Sequence, residues 1–511
     1  IMAILRYTAS ADTTITNAFE ADLTTRGTGS NMGYADSLEV FSIYGQESGS
    51  TTGQSQELSR ILIQFPIDAI KSDRTAGKIA GSGSVGFYLK MFNAEHPFTL
   101  PQNFNLVVAP VSRSWSEGDG LDMDNYQDLG TSNWGKANDS TDWTSIGGDY
   151  RTGSNYNASF PLGFEDLELD VSDVVESWIA GSDPAFANNY GFGVRLTASQ
   201  EAYFSSSTGA DTSVLINNLD GATQSYYTKK FFARSSEFFF KRPVIEARFD
   251  DRLLDDRENF YYSSSRAPAA ENLYNLYFYN YVRGQLRDLP GIGAASLHVS
   301  FYSSSNGSPA GGKIAIPLGG GTVSDNHLNT TASHVSTGIY SCSVALTAAT
   351  TALQEINDVW HKSGVEYFTG SFFPETIPTY DSAPTFNRVT ACKNLKKIYS
   401  RKDNARFRFF VRDRNWSPTI YTVATANNPT EIIPSASFSI TRVTDDLVAI
   451  PYGTGSNFST FLSYDKEGNY FDLDISLLEA DYMYELKLSY YNDSIGDWQE
   501  QPQTFKFRVE E

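Results

Sequence analysis

The sequence predicts an all-β protein built from several β-sandwich domains in series. The chain has 511 residues, which is too many for a single hydrophobic core. It contains 30 tyrosines and 34 phenylalanines but only five methionines, and aromatic residues suit the pleated, half-buried surface of a sheet. Short segments of alternating polar and apolar residues recur between turn residues, which is the pattern of antiparallel strands. Many short strands at this spacing are typical of sandwiches.

The clearest predicted strands lie in the first half of the chain, at Leu58–Ile67, Gly86–Phe92, Asn105–Trp115, Gly191–Ala198 and Lys241–Asp250. One segment, LDVSDVVESWIAG, has a helical pattern instead. There Ser172 can cap the start, Val174, Val175 and Trp178 share one face, and Gly181 can end the helix. We therefore expect one short helix within the first domain.

Composition changes divide the chain into three predicted domains. Residues 1–250 form a jelly-roll-like sandwich, and the charge-dense, serine-rich residues 251–270 form a linker. Residues 271–383 form an immunoglobulin-like sandwich, which ends in a stretch with three prolines. Residues 384–511 form a smaller, immunoglobulin-like C-terminal sandwich, whose last strand is QTFKFRVEE.

Charge and cysteine content exclude several classes of function. The formal net charge of −21 repels phosphate backbones, so we expect no nucleic-acid partner. No run of about 18 apolar residues is present, so we expect no membrane span. Cys342 and Cys392, the two cysteines, are expected to be reduced and buried, which excludes a disulfide scaffold and a cysteine-based zinc site.

The first predicted domain carries a series of motifs in a characteristic order. They are ADTTITNA, GYADSLEV, SRILIQFPI, SRSWSEGDG, NWGKAND, ELDVSDVVESWIAG, NYGFGVRLT and KRPVIEARF. This ordered set, over about residues 10–250, resembles the DNRLRE-type β-sandwich domain, which is related to some carbohydrate-binding modules. The chain departs from that domain in two long insertions, 121–165 and 198–238, and surface insertions often carry contacts.

The resemblance implies a structural role for the segment VSRSWSEGDG. Trp115 is then a packing residue, and Glu117 and Asp119 shape the following loop. The alternative is that Glu117 is a catalytic acid beside a sugar-stacking ring, which would need a second carboxylate about 5–10 Å away. No acid–base pair, nucleophile motif or phosphate loop is evident in the sequence, so we expect no enzymatic activity.

The start MAILRYTASADTTI and the segment Tyr464–Tyr491 resemble virion proteins of large tailed bacteriophages. The resemblance implies a structural protein of the virion, at the head surface, neck or collar, tail or fibre. Its partners would be other virion proteins, with the chain forming a homo-oligomer or a symmetric array. The alternative is a carbohydrate-binding adhesin or module.

Three sets of residues are candidates for binding. Five phenylalanines within ten residues of FFARSSEFFFKRP exceed what one strand face readily buries, which suggests an interface, although they could also fill the domain's own core. The predicted interface residues are Phe231, Phe232, Phe238 and Tyr261.

Aromatic residues in the first insertion could stack on sugars, or else pack in a core or a subunit contact. They are Trp134, Trp143, Tyr150 and Tyr156.

The acidic segment EGDGLDMDNYQD could hold calcium, which takes six to eight oxygen ligands, or could be a solvated loop. Its candidate ligands are Asp119, Asp122, Asp124 and Asp128. The spacing misses the EF-hand pattern, and we expect no other cofactor.

Overall fold

In the computed structural model, the described residues fall into two compact units, Ile1–Asp250 and Asp251–Glu511. The sequence places the end of its first domain at the same residue. The structure describes residues 3–45, 56–95, 101–125, 130–151, 153, 155–184, 186, 188–209, 211–264, 266–317, 327–347, 355–376, 388–417, 430–453, 457–492 and 495–511.

The first unit is built almost entirely from strands. They are β1 (Ile4–Thr8), β2 (Ala11–Thr16), β3 (Ser37–Tyr44), β4 (Gln56–Gln64), β5 (Val85–Met91), β6 (Phe104–Pro110), β7 (Lys136–Asn138), β8 (Thr141–Asp142), β9 (Tyr156–Phe160), β10 (Leu167–Asp170), β11 (Phe192–Leu196), β12 (Tyr226–Phe232) and β13 (Val244–Phe249).

Two antiparallel sheets make up the sandwich of the first unit. The smaller has the order β1-β13-β5-β10, so the first strand of the unit pairs with the last. The larger has the order β12-β3-β4-β11-β6-β9, with β2 also paired to β4. Both contribute to one core, for example Phe87 and Ile245 from the smaller sheet and Ile61 and Phe192 from the larger. The predicted antiparallel sandwich is therefore confirmed.

Two α-helices accompany these sheets, where the sequence predicted one. Helix α2 (Ser172–Ala180) has the predicted bounds, and it buries Val174, Val175 and Trp178 before Gly181 ends it with φ 63°. Helix α1 (Ile67–Thr75) was missed because it buries only Ile67 and Ile70, which is too short a pattern to recognise.

The predicted cap of α2 is wrong. Ser172 lies inside the helix, the capping position is held by Val171, and no side chain caps it. The Ser172 hydroxyl instead accepts a hydrogen bond from the backbone N–H of Phe87 at 2.8 Å, which ties the helix to β5. The chain also forms short 3₁₀ helices at Ser206–Thr208, Phe239–Lys241, Asp256–Glu258, Ala269–Asn272 and Ile475–Leu477.

A second core lies on the outer face of the larger sheet. Strand β4 alternates, so that Ile61 and Ile63 face the sandwich core while Leu58 and Leu62 face outward. Trp134 of the first insertion packs with this outward row. The insertion therefore covers the sheet, and this covered face carries the candidate site described below.

The second unit contains the remaining strands. They are β14 (Tyr274–Tyr279), β15 (Tyr281–Val282), β16 (Gln285–Leu286), β17 (Leu297–Ser305), β18 (Ser308–Ala310), β19 (Thr330–Ser336), β20 (Ile339–Val344), β21 (Ile356–Lys362), β22 (Val365–Phe372), β23 (Arg388–Cys392), β24 (Ile398–Ser400), β25 (Asn404–Asp413), β26 (Ala436–Arg442), β27 (Val448–Ile450), β28 (Ser463–Asp465), β29 (Gly468–Asp474), β30 (Met483–Asn492), β31 (Asp497–Glu500) and β32 (Phe505–Glu510).

The first half of this unit is one continuous sheet with the order β14-β20-β19-β17-β21-β22. The sheet curls over its own core, because Phe278 of β14 stacks on Phe368 of β22, with ring centroids 5.0 Å apart. Trp360 and Tyr340 are completely buried in this core. The two layers of this sandwich are thus opposite halves of a single sheet.

The second half has two sheets, β23-β25-β29-β28 and β24-β32-β30-β26-β27. Phe438 and Phe471, one from each sheet, stack with centroids 3.8 Å apart in the core between them. The C-terminal strand β32 pairs with β30 and, in parallel, with β24, as expected for a final strand that enters a sheet. The predicted all-β class of successive sandwiches is confirmed.

The predicted linker, residues 251–270, is not a solvent-exposed connection, because several of its residues are packed into the second unit. Asp255, Arg257 and Phe260 are buried, and the Arg257 guanidinium donates to the Asp358 carboxylate on β21 at 2.7 Å. Tyr464 on β28 donates to the Asp256 carboxylate at 2.7 Å. The charge density that suggested a solvated linker reflects a buried ionic network. Within the described residues, no helix is long and apolar enough to cross a bilayer.

Candidate functional site

The Trp-Ser-Glu corner, residues 115–117, is held by packing and by an ion pair. Trp115 is 8% exposed, and its indole Nε1 donates to the carbonyl of Tyr190 at 2.9 Å. The Arg234 guanidinium donates to both carboxylate oxygens of Glu117, at 2.8 and 2.6 Å. Oε1 of Glu117 also accepts from the backbone N–H of Asp12 at 2.7 Å. Glu117 therefore fixes the position of the corner through both of its oxygens.

The glycines after Glu117 fold around a single buried amide. Oδ1 of Asn31 accepts from the backbone N–H groups of Gly33 and Gly120 at 3.0 and 2.9 Å, and its Nδ2 donates to the Glu117 carbonyl at 2.6 Å. A Cβ on Gly120 would lie 1.7 Å from the carbonyl oxygen of Asn31. Glycine is required there by close packing.

A second carboxylate, Asp12, lies beside this ion pair. Its Oδ2 accepts from the backbone N–H of Arg234 at 2.6 Å. Burial raises the pKa of Asp12 to about 7, and the neighbouring charge of Glu117 acts in the same direction. Asp12 is only 1% exposed, so this carboxylate is shielded from a ligand in solution.

The predicted interface residues separate into buried and accessible ones. Phe231 is completely buried in the sandwich core, with its ring 6.4 Å from that of Phe160, so its assignment to an interface is wrong. It faces inward because alternate residues of β12 point to opposite faces of the sheet. Phe238 is 48% exposed and contacts the half-buried ring of Phe232 at 5.4 Å. Tyr261, in the second unit, is half-buried near Tyr274.

Two of the four predicted sugar-stacking rings are buried in the second core. Trp134 is 1% exposed and Trp143 is 5% exposed, and each indole donates to a backbone carbonyl at 2.9 Å. Neither ring can offer a face to a sugar, so those two assignments are wrong. Tyr156 is half-buried, and its hydroxyl donates to Asp173. Tyr150 is half-buried and lines the cleft described below.

The acidic loop shows turn geometry at its described residues. Oδ1 of Asp122 accepts from the backbone N–H groups of Asp124 and Asn125, at 3.0 and 2.8 Å. Asp124 accepts from the N–H of Ala21 at 2.8 Å. Asp119 is exposed, and Asp128 lies outside the described residues. Within the part of the chain that the structure describes, no three metal-binding side chains are grouped so that they could hold an ion.

A cleft of about 570 Å³ opens on the outer face of the larger sheet of the first unit. We call it the arginine cleft, because four arginines line it together with the ring of Tyr150. They are Arg60 on β4, Arg195 on β11, and Arg113 and Arg151 at the two ends of the excursion that carries Trp134 and Trp143.

Two of the four arginines are fully engaged. Arg60 makes a bidentate ion pair with Glu201 at 2.9 and 2.7 Å and donates to the Gly147 carbonyl at 3.0 Å. Arg113 pairs with Asp149 at 2.9 Å and donates to Thr144 and to the Asp142 carbonyl. These two side chains hold the walls of the cleft in place.

The other two arginines have ring contacts but no ion pair among the described residues. The guanidinium carbon of Arg195 is 5.2 Å from the ring centroid of Tyr150, and its Nε is buried without a hydrogen-bond partner in the described structure. The guanidinium carbon of Arg151 is 5.2 Å from the ring centroid of Phe186. A guanidinium held on an aromatic face keeps its donors available in the plane of the group.

The geometry of Tyr150 depends on a glycine in the sheet. A Cβ on Gly193 of β11 would lie 2.0 Å from the Tyr150 ring, so only glycine lets the ring rest on the strand. The Tyr150 hydroxyl donates to the Gly147 carbonyl at 2.8 Å. Burial raises the pKa of Tyr150, which keeps the hydroxyl neutral. The ring is thereby fixed as one wall of the cleft.

Comparison with known proteins does not assign the chain to a family. No family model matches it, and no curated protein matches it. Among solved structures, the N-terminal Ig1-2 module of the Drosophila receptor protein tyrosine phosphatase DLAR aligns with 47% of this chain and 92% of its own, with 9% identity and a TM-score of 0.14.

Two bacterial structures align over nearly the whole chain. Dimeric latent PorU from Porphyromonas gingivalis aligns with 100% of this chain at 11% identity and a TM-score of 0.15. Salmonella alpha-2-macroglobulin reacted with methylamine aligns with 99% at 10% identity and a TM-score of 0.14. The chain spans about a third, 34%, of the length of each. Similarity at these TM-scores is too low to transfer a fold or a function from any of the three.

The arginine cleft was missed from the sequence, although a signal for it exists. Arg60 in LSRILIQF and Arg195 in GFGVRLT are charged residues inside otherwise apolar strands. A charge at a position of the alternating pattern that faces a covered surface points to a paired or functional residue. Recognising the site would have required knowing that the first insertion covers this face.

Proposed function

We propose that the protein is a non-enzymatic structural component of a tailed-bacteriophage virion, which acts by docking onto other virion proteins. The observation that supports docking is an exposed aromatic surface of the first unit. We call it the aromatic patch, and it consists of Phe232, Phe238, Phe239 and Phe240.

The aromatic patch lies where β12, the edge strand of the larger sheet, ends. Phe238 and Phe239 are 48% and 52% exposed. The Lys241 ammonium lies 5.1 Å from the ring centroid of Phe232, and the Arg242 guanidinium carbon lies 5.3 Å from that of Phe239. Clustered aromatic residues next to arginine are enriched at protein–protein interfaces. Exposed aromatic rings do not stabilise an isolated domain, so their cluster indicates a contact with a partner.

Two further arguments support the proposal. The assignment to a virion rests on the resemblance of the start of the chain and of Tyr464–Tyr491 to virion proteins. The non-enzymatic role is supported by the Trp-Ser-Glu corner, where Glu117 is committed to Arg234. The alternative is a carbohydrate-binding adhesin. Its two candidate tryptophans are buried in the second core and cannot stack on a sugar, so docking is the function that we favour.

The test is to change Phe238 and Phe239 to serine together and to measure the mass of the purified full chain by analytical ultracentrifugation. We expect the wild type to self-associate or to bind a virion protein, and the double variant to bind at least about tenfold more weakly, because each interface aromatic contributes roughly 1–3 kcal/mol. The matched control is Leu162→Ser with Leu219→Ser, which removes two exposed apolar side chains elsewhere in the unit. Docking through the patch is refuted if the wild type is monomeric and particles assemble normally with the double variant.

A further inference from the structure

We propose that the arginine cleft binds a compact oxyanion, that is, a phosphate, sulfate or carboxylate group carried by a ligand, through Arg151 and Arg195. This site lies on the covered face of the larger sheet, and its ligand does not depend on the docking role proposed above.

The first argument is that two of the four arginines have carboxylate partners and two do not, among the described residues. Arg60 and Arg113 use their donors on Glu201, Asp149 and backbone carbonyls, as structural arginines do. Arg151 and Arg195 line the same cleft without any carboxylate partner among the described residues. Burying part of a guanidinium without an anion is unfavourable unless an anion arrives from outside.

The second argument is the position of Arg195 beside Arg60. Strand β11 pairs with β4, with Val194 opposite Ile61. The guanidinium carbons of Arg60 and Arg195 lie 5.8 and 5.2 Å from the ring centroid of the same residue, Tyr150. Two like charges held around one ring repel each other. Among the described residues Glu201 forms an ion pair with Arg60 and none with Arg195, so a bound anion would reduce the repulsion between the two arginines.

The third argument is the contrast between the local and the overall charge. The chain has a formal net charge of −21, yet among the described residues the cleft combines four arginines with two carboxylates, Asp149 on its wall and Glu201 beneath Arg60. Two positive charges therefore remain in excess. A recessed positive site with aromatic walls concentrates field lines and attracts anions even on an acidic protein.

The class of ligand follows from the donors. The guanidinium group presents parallel N–H donors that match two oxygens of a phosphate, sulfate or carboxylate. Ser112 and Ser145 also line the cleft and add hydroxyl donors of the kind that such oxyanions accept. The volume of about 570 Å³ is within the range of small-ligand sites, so the cleft has room for the group that carries the anion.

The first experiment uses the full wild-type chain and three probes: inorganic phosphate, sulfate and acetate. Isothermal titration calorimetry would measure affinity, and thermal unfolding would be compared with chloride at matched ionic strength. We expect saturable binding and a rise of the melting temperature, because a ligand that binds only the folded state stabilises it. Tighter binding of phosphate or sulfate assigns the site to a tetrahedral anion, and equal binding of acetate assigns it to a carboxylate.

The second experiment places the anion in the cleft. Arg151→Gln with Arg195→Gln should weaken binding at least about tenfold, because hydrogen bonds to charged groups are lost. Lys71→Gln with Lys78→Gln, which removes the same charge from helix α1 and the turn after it, should leave affinity unchanged. If no probe binds the wild type beyond the ionic-strength effect of chloride, the proposal is wrong. It is also wrong if both double variants lose affinity equally.

Discussion

Arg257 of the second unit and Arg195 of the first unit differ in the charges that surround them. In the second unit, Arg257 is 7% exposed and donates to Asp255 and Asp358 at 2.6 and 2.7 Å, so two carboxylates enclose one cation. In the first unit, Arg195 is half-buried in a cleft and has no carboxylate partner among the described residues. The charge of Arg257 is compensated by carboxylates of the protein itself, and we call this arrangement a closed cluster. The charge of Arg195 has no such compensation among the described residues.

The difference separates charges that hold the fold from charges that are available to a ligand. A closed cluster is costly to break, because removing one member leaves an uncompensated buried charge. Substituting an arginine that has no ion pair and lies at a cleft should change the free energy of unfolding only slightly. The two regions can therefore be distinguished by how strongly substitution of each arginine affects stability.

The largest effect is expected for Arg257→Met. Asp255 and Asp358 would be left buried without their cation, which should lower the free energy of unfolding by about 3–5 kcal/mol. Hydrogen exchange of the full chain, followed at β14 and β21, would measure the loss within the second unit. Lys506→Met is the control, because the Lys506 side chain is 53% exposed and its pair with Glu485 should contribute less than about 1 kcal/mol. Equal effects of the two substitutions would contradict the closed-cluster interpretation.

A smaller effect is expected for Glu201→Gln in the first unit. The glutamine keeps one acceptor for Arg60 but loses the charge of a pair whose side chains are both 6% exposed. We expect destabilisation of about 1.5–3 kcal/mol, measured by urea unfolding. Arg195→Gln should change stability by less than about 0.5 kcal/mol, because it has no ion pair to lose. A large loss for Arg195→Gln would show that this arginine is structural after all.

Glu117→Gln should destabilise the Trp-Ser-Glu corner by about 1 kcal/mol. The ion pair with Arg234 is partly exposed, with side chains 18% and 29% accessible, so solvent screens it. Thermal unfolding would measure this loss, and a polysaccharide cleavage assay on both proteins would test catalysis. Reducing sugar released by the wild type and not by the variant would overturn the structural role of Glu117.

A different kind of effect is expected for Asp12→Asn, which changes how the free energy of unfolding depends on pH. The folded-state pKa of Asp12 is raised to about 7 from 3.8, so between these values the folded state binds more protons than the unfolded state. This contribution to stability is fully present below pH 3.8 and is lost as the pH rises through 7. The substitution should remove the contribution of Asp12 to the slope of the unfolding free energy against pH. Urea unfolding at several pH values between the two pKa values would measure this slope. Asp220→Asn, at an exposed position, should leave the slope as it is; an unchanged slope in Asp12→Asn would refute the shift.

Alternation and local spacing predicted the strand-rich class and the position of α2, because these patterns determine such features. The packing role of Trp115 was implied by the resemblance of the motif set. The sequence did not predict features that depend on packing between residues far apart in the chain. Phe231 and Trp134 are aromatic residues whose burial depends on which surface covers them, and the sequence does not show that the first insertion folds over the larger sheet. Charge density in 251–270 was interpreted as solvated because the partners, Asp358 and Tyr464, are about 100 and 200 residues away.

The pairing of β1 with β13 has a consequence for synthesis of the protein on the ribosome. Arg6 and Glu246, which bond across these strands, are 240 positions apart. At about 5–20 residues per second, the first strand emerges roughly 10–50 s before the strand that receives it. During that interval the smaller sheet lacks its closing strand, and the apolar side chains of Ile4 and Tyr7 have no core to enter. The nascent chain therefore exposes these side chains until β13 has been made, and a chaperone that shields β1 would act in that interval.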